Sequence, residues 1–156
     1  MPKARVSAGL LMYRIQDGDL QVLLAHPGGP FFQNKDERAW SIPKGEIESD
    51  EDFLKAAQRE FEEETSLKAI GPFIALTPVK QKGGKIVHAW ALEGDCDPAT
   101  IVSNTFTIEW PPRSGQHVEF PEIDGVEFFD LDLARTKINA AQAGFLDELE
   151  ELLSRK

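Results

Sequence analysis

Cysteine is almost missing from this chain: Cys96 stands alone among 156 residues. A single cysteine excludes an intrachain disulfide and a zinc site built on thiolates. Excess positive charge is missing too, since 17 Lys and Arg face 27 Asp and Glu, for a formal net charge of −10. Such a surface repels nucleic-acid backbones and anionic membranes, which argues against a role based on gripping either. An acidic protein that handles phosphate compounds needs metal ions or a local cluster of Lys and Arg. Long apolar runs are also absent, and nothing approaches the roughly 18 residues that span a bilayer. The opening MPKARVSAGLLMYRI sets basic residues before an apolar run, as a secretion signal does. Arg14 breaks that run, however, and the alternation that follows suits a strand. A cytoplasmic location is the expectation.

What is present is the material of one globular domain, 41% hydrophobic and 28% charged, long enough for a substantial core. Val6 to Ile15 and Leu20 to His26 read as strands joined by a hairpin at Asp17-Gly18. His26 to Arg38 reads as a surface loop, and Trp40 to Pro43 as a short extended piece. A helix follows, with Ser49 as its N-cap, Asp50, Glu51 and Asp52 at its positive end, and its last turn near Thr65. Phe53, Ala57 and Phe61, flanked by Leu54 and Ala56, form its apolar stripe. Ile70 to Lys80 and Lys85 to Glu93 read as strands around a second hairpin, and Asp95 to Asn104 as loop. Thr105 to Trp110 is a further strand, PPRSGQH is irregular, and Val126 to Leu131 is the last strand. Two helices, from about Asp132 and about Gln142, close the chain. The stripe Phe145, Leu149, Leu152 and Leu153 in the second serves as core cover or as the face of a homodimer. Strands around a central helix, with helices at the end, make an α/β layered single domain.

The central helix carries an oddity: four glutamates fill the five positions 60 to 64. Like charges three or four residues apart on a helix repel by roughly 0.2–0.5 kcal/mol per pair. Acid runs on helices are commonly just solvated faces. Here Glu60, Glu63 and Glu64 fall on one arc, at about 0°, 300° and 40°, while Glu62 points away at about 200°. Three carboxylates on one arc supply oxygens suited to hard divalent cations, Mg²⁺ or Mn²⁺ above all. Arg59 adjoins the cluster, and Glu51 lies two turns earlier, placed for an Arg–carboxylate contact.

The wider spacing is more specific. Gly45, then Glu51, then Arg59-Glu60-Phe61-x-Glu63-Glu64 resembles the Nudix box, the 23-residue signature of Nudix hydrolases, over GEIESDEDFLKAAQREFEEETSL. Every charged position is filled, as are the first glycine and the apolar positions Phe61 and Leu67. One position departs: Ser66 stands where the family has a glycine to end the helix, which removes a residue suited to a left-handed cap.

The resemblance implies an α/β/α sandwich with a mixed sheet over one domain, residues 1–156, and metal-dependent hydrolysis of a nucleoside diphosphate linked to another group. By the same resemblance Glu60, Glu63, Glu64 and the Gly45 carbonyl are the metal ligands, and Glu60 or a downstream acid serves as base. Arg59 orients the acids and Glu51 anchors Arg59. The downstream acid is Glu122 or, three residues earlier, Glu119. Lys44, beside the box glycine, and Lys80, Lys82 and Arg113, in loops, are the candidates to meet substrate phosphates. Trp110 and the Phe31-Phe32 pair are expected to pack on their own loops before stacking on any base. Trp40 is expected in the core, and His26, His88 and His117 in structural or surface roles.

Substrate identity is not written in these residues. The proline that ADP-ribose hydrolases of the family carry beyond the box is Gly83 here, and the tyrosine of many dinucleoside tetraphosphate hydrolases is missing, Tyr13 being the only one. The expected partner is a small nucleotide or nucleoside diphosphate derivative. An isoprenoid diphosphate isomerase would call on Cys96, which lies far from the box. A non-catalytic nucleotide-sensing module on the same fold is the remaining alternative.

Overall fold

The computed structural model describes residues 5–154, so the basic Lys3 at the start of the chain lies outside the described residues. Two strands, β1 (Val6–Gln16) and β2 (Asp19–Pro27), form the hairpin read at Asp17-Gly18, where both residues take the positive φ that such a turn needs. They pair only from Tyr13 to Gln16 and then splay. Into the gap goes residues 40–46: β3 (Lys44–Glu46) pairs with Ser7–Gly9 of β1, and Ala25 of β2 bridges to Ser41. Gly9 permits this wedge, because a Cβ there would lie 2.5 Å from the Pro43 carbonyl oxygen. The splay sets Lys44 and Gly45 in the middle of the sheet.

After the helix α1 (Phe53–Thr65) come the short strands β4 (Ile74–Ala75) and β5 (Val79–Lys80), then β6 (Ile86–Glu93). A separate hairpin, β7 (Thr105–Glu109) with β8 (His117–Pro121), precedes β9 (Ile123–Asp130), α2 (Leu131–Lys137) and α3 (Ala143–Ser154). The main sheet runs β4-β6-β1-β2-β9, with β1 and β6 parallel and the other pairs antiparallel. Alternate residues of β1 feed two cores. Ala8, Leu10 and Met12 pack with Ala56, Ala57 and Phe61 of α1, while Leu11 and Tyr13 pack with Ala134, Phe145, Leu146 and Leu149 of α2 and α3. The result is the expected α/β/α sandwich on a mixed sheet. Leu152 and Leu153 also lie against the second core, so the α3 stripe covers the sheet.

Several boundaries differ from the sequence reading. The cap of α1 is Asp52, whose carboxylate accepts the Lys55 N–H at 3.1 Å, and not Ser49. Residues 48–51 are tied into a turn of their own by Glu51, and Asp50 takes a φ of 64°, which no helix allows. Phe53 is half out of the core, against the His88 ring. The run from Ile70 to Lys80 yields only two two-residue strands, broken at Pro72 and Pro78. Strand β8 and the first residues of β9 were not foreseen, because Pro111, Pro112 and Gly115 made the surrounding stretch read as loop.

Ser66 does adopt the left-handed conformation, with φ 63° and ψ 12°, and its N–H donates to the Glu62 carbonyl. Ser66→Gly is therefore expected to raise unfolding free energy by on the order of 1 kcal/mol, since a left-handed backbone strains any residue with a Cβ. A urea midpoint that stays put or falls would show that the hydroxyl contact to the Val102 N–H, at 3.3 Å, matters more.

Candidate active site

The buried face of α1 does not end in apolar residues. After Phe61 it continues into Glu60 and Glu64, only 8% and 5% exposed, while Glu62 is exposed. Burying two carboxylates one turn apart is costly unless something cationic meets them. Arg59 meets some of that need. Its Nε and Nη2 donate to both oxygens of Glu51 at 2.8 and 2.9 Å, a forked contact, and Nη1 donates to Glu60 at 2.9 Å and to Glu63 at 3.2 Å. One guanidinium thus ties the turn before α1 to two acids of the helix.

Arg59 and burial pull the acids in opposite directions. The Arg59 hydrogen bonds, helped by the Glu48 N–H, hold the Glu51 carboxyl down to about 2. Burial pushes Glu60 up, with Arg59 opposing. Glu64 is pushed to about 9 by burial first and then by the charges of Glu60 and Glu122, against the pull of Lys44. Glu122 is raised by desolvation and by Glu63. Burial lowers the Lys44 ammonium, and Glu64 opposes that. Of the two downstream acids, Glu122 lies within electrostatic reach of the helix carboxylates, while Glu119 stands exposed on β8 opposite Thr107.

The depression of Glu51 has a testable consequence. A folded pKa below the unfolded one stabilises the protein above the ordinary value of 4.5, and that contribution disappears as pH falls toward about 2. Glu51→Gln is expected to flatten this acid limb in unfolding measured across the same window. An unchanged limb would mean that other carboxylates control it.

Among the described residues no three His, Cys, Asp or Glu side chains are gathered closely enough, as they stand, to enclose an ion. Two features nevertheless fit a hard cation. Glu64 Oε1 is buried and has no hydrogen-bond partner, an orphaned acceptor of the kind that native proteins seldom leave. Gly45 lies directly on the Glu60 carboxylate: a Cβ there would come within 2.0–2.5 Å of its three atoms. Carboxylate and carbonyl oxygens are the donor set that Mg²⁺ and Mn²⁺ prefer.

The remaining candidates are dispersed. Lys80 and Lys82 are exposed in the β5–β6 hairpin, one on either side of Gln81. Arg113 is exposed at the tip of the β7–β8 hairpin, its N–H held by the Glu109 carboxylate at 2.9 Å. Phe31 packs edge-on against Trp110, centroids 5.5 Å apart, a contact between two loops and not within one. His26 bridges Asp124 and the Lys35 carbonyl, a structural position. A cleft of about 840 Å³ lies along the outer flank of α1, lined by Arg59, Glu62 and Glu63 but not by Glu60 or Glu64. A smaller one, about 200 Å³, opens on the other side of β3 and includes Lys44, Trp40, Gln81 and Gln142. Lys44 joins the smaller one to the buried acids. Sequence reasoning missed Gln81 and Gln142, which lie 61 residues apart and carry no motif.

The chain matches the NUDIX domain family model over residues 3–149. No curated protein sequence matches it. Among solved structures, it is similar to a C. elegans Ap4A hydrolase binary complex, at 22% identity and a TM-score of 0.68, covering 96% of this chain and 99% of that one. It resembles the NUDIX domain of Shewanella oneidensis NrtR complexed with ADP ribose, at 15% identity and TM-score 0.68, with 98% and 90% covered. A mutT/nudix family protein from Listeria innocua aligns at 18% identity and TM-score 0.65, over 99% and 97%. At these identities the likeness is one of fold.

Proposed function

Because the chain belongs to the Nudix family, whose members of this kind are pyrophosphohydrolases acting on phosphorus-containing anhydrides, we propose that it cleaves a nucleoside diphosphate linked to another moiety, with Mg²⁺ as cofactor. Dinucleoside polyphosphates and nucleoside triphosphates are in the substrate class. The observation that carries this reading is the orphaned, buried Oε1 of Glu64 beside a glycine that leaves room at Glu60. The C. elegans and Shewanella relatives, named for Ap4A and bound to ADP ribose, support a nucleotide ligand.

Glu60, Glu63, Glu64 and the Gly45 carbonyl would hold the cation. Bound there, it would neutralise diphosphate oxygens and ease deprotonation of the attacking water. The chain's own groups do the rest. Arg59 fixes the directions of Glu60 and Glu63, and Glu51 fixes Arg59. Glu60 or Glu122, each with a raised carboxyl pKa, accepts a proton from water. Lys44, within electrostatic reach of Glu64 and Glu60, meets the diphosphate from the sheet side. Lys80, Lys82 and Arg113 add positive charge around the approach of an anionic substrate.

The test is a product screen of dinucleoside polyphosphates, nucleotide sugars, ADP-ribose and nucleoside triphosphates with Mg²⁺ and with Mn²⁺. Metal-dependent release of a nucleoside phosphate is expected, and Glu63→Gln is expected to lose most of it while remaining folded. A Glu63→Gln rate within a few-fold of the unmutated protein would overturn the metal role. Tight nucleotide binding without product from any compound would favour the sensing module instead.

A further inference from the structure

The 200 Å³ pocket beside Lys44 contains a hydrogen-bond relay whose direction is set by a group that cannot turn over. The backbone N–H of Ile42 donates to Gln142 Oε1 at 3.0 Å, inside a core where Gln142 and Ile42 are 0% and 1% exposed. That contact fixes which end of the Gln142 amide is oxygen. Its Nε2 must therefore donate, and it does, to Gln81 Oε1 at 2.9 Å and to Ser41 Oγ at 3.0 Å. Gln81 is fixed in turn: its oxygen accepts from Gln142, and its Nε2 has no hydrogen-bond partner among the described residues. Asn139 repeats the pattern, because the Ala141 N–H donates to its Oδ1 at 2.9 Å and its Nδ2 has no partner among the described residues. Ser41 donates to the Ile42 carbonyl and accepts from Gln142, so its hydroxyl is engaged on both sides.

The consequence concerns polarity. Two anchored amides, together with Lys44 and with Arg38, whose Nη1 also donates to the Arg135 carbonyl, line the pocket with N–H groups, and among the described residues no acidic side chain lines it. Phe32 and Trp40 supply apolar ring surface alongside. The hairpin that carries Gln81 is itself held, with the Gln81 N–H on the Lys85 carbonyl at 2.6 Å and its carbonyl on the Gly84 N–H. A ring-lined recess whose side-chain N–H groups of Gln81 and Asn139 are unpaired among the described residues matches a flat heterocycle bearing carbonyl oxygens. It does not match one bearing an amino group at the same edge, which would leave donor facing donor.

Resting on the Nudix reading above, we propose that Gln81, oriented by Gln142, selects nucleotides whose base presents an oxo edge, of the guanine or hypoxanthine type, over those presenting an amino group, of the adenine type. The pocket joins the acid cluster through Lys44, so a nucleoside seated here would extend its phosphates past the ammonium toward Glu60 and Glu64. Gln81 is a specificity-determining residue and Gln142 a positioning one.

Inosine and adenosine nucleotides isolate the question, because their bases differ only along one edge, a 6-oxo group beside N1–H against a 6-amino group beside a bare N1. With turnover suppressed by Glu63→Gln, IDP and ADP are titrated by calorimetry in Mg²⁺, and kcat/KM for ITP and ATP is measured on the unmutated protein. The oxo compound is expected to be preferred by about tenfold or more, as one donor left facing a donor costs. Gln81→Leu should bring the ratio within about twofold, and the partly exposed hairpin position tolerates the change without loss of fold. Equal IDP and ADP affinity, a preference for adenine, or a ratio unmoved by Gln81→Leu would each overturn the proposal. Selective binding with no product from either triphosphate would leave it standing and count against hydrolysis of these compounds alone.

Discussion

Glu64→Gln should make the metal-free protein more stable at pH 8 while removing most of its turnover. Glu64 keeps its proton in the folded state up to about 9, whereas the unfolded chain releases it near the ordinary value of 4.5. A folded pKa raised in this way stabilises the protein fully below 4.5, and the contribution is lost as pH rises toward about 9. The slope in that window approaches about 1.4 kcal/mol per pH unit for one proton. Glutamine holds no proton to lose, so the variant's stability should be nearly flat where the unmutated protein declines. Mg²⁺ should restore stability to the unmutated protein at pH 8 and do little for the variant. The expected loss of turnover exceeds the roughly 10–100-fold that follows from removing a supporting contact at a metal site. Thermal unfolding with EDTA and with Mg²⁺, from pH 5 to pH 9, reads the first effect, and product release reads the second. A variant that follows the unmutated protein's pH curve would show that Glu64 does not carry the buried charge.

Gly45→Ala separates the site from the fold. The added methyl would sit 2.0–2.5 Å from the Glu60 carboxylate, and that carboxylate is the far end of a flexible side chain, so it moves and the backbone does not. Moving it breaks the 2.9 Å contact with Arg59 Nη1 and closes the space between the glycine and the acid. Turnover should fall by more than roughly 100-fold, the upper end for a lost supporting contact. Stability should change by no more than about 1 kcal/mol, the usual range for a substitution that leaves the core intact. Near-normal activity would mean that Glu60 does not act from the place it holds here. A collapse of stability would mean that the glycine serves the sheet.

How much of this was legible beforehand depended on range. The helix, its glutamate arc and the Arg59–Glu51 reach were local, governed by helical spacing, and α1 has Glu60 and Glu64 on its buried face and Glu62 outside. The layered α/β class was legible in the order of strands and helices, whereas the two cores are set by β1, where odd and even residues face opposite helices. The cap at Asp52 is not legible locally, because Ser49, Asp50 and Asp52 all have capping chemistry. Glu51's attachment to Arg59, eight residues away, decides among them. The wedge of residues 40–46 between splayed strands has no periodic signature. Neither has the Gln142–Gln81 relay, which exists only once α3, β3 and the β5–β6 hairpin have met.

The most direct measurement is anomalous diffraction at the manganese edge, from crystals grown with Mn²⁺ and a methylene-bridged nucleoside diphosphate analogue. Manganese should appear on the carboxylates of Glu60, Glu63 and Glu64 and on the Gly45 carbonyl, with the analogue's phosphorus atoms alongside. Manganese and analogue bound together at other residues, with Glu64 still protonated and bare, would contradict the account.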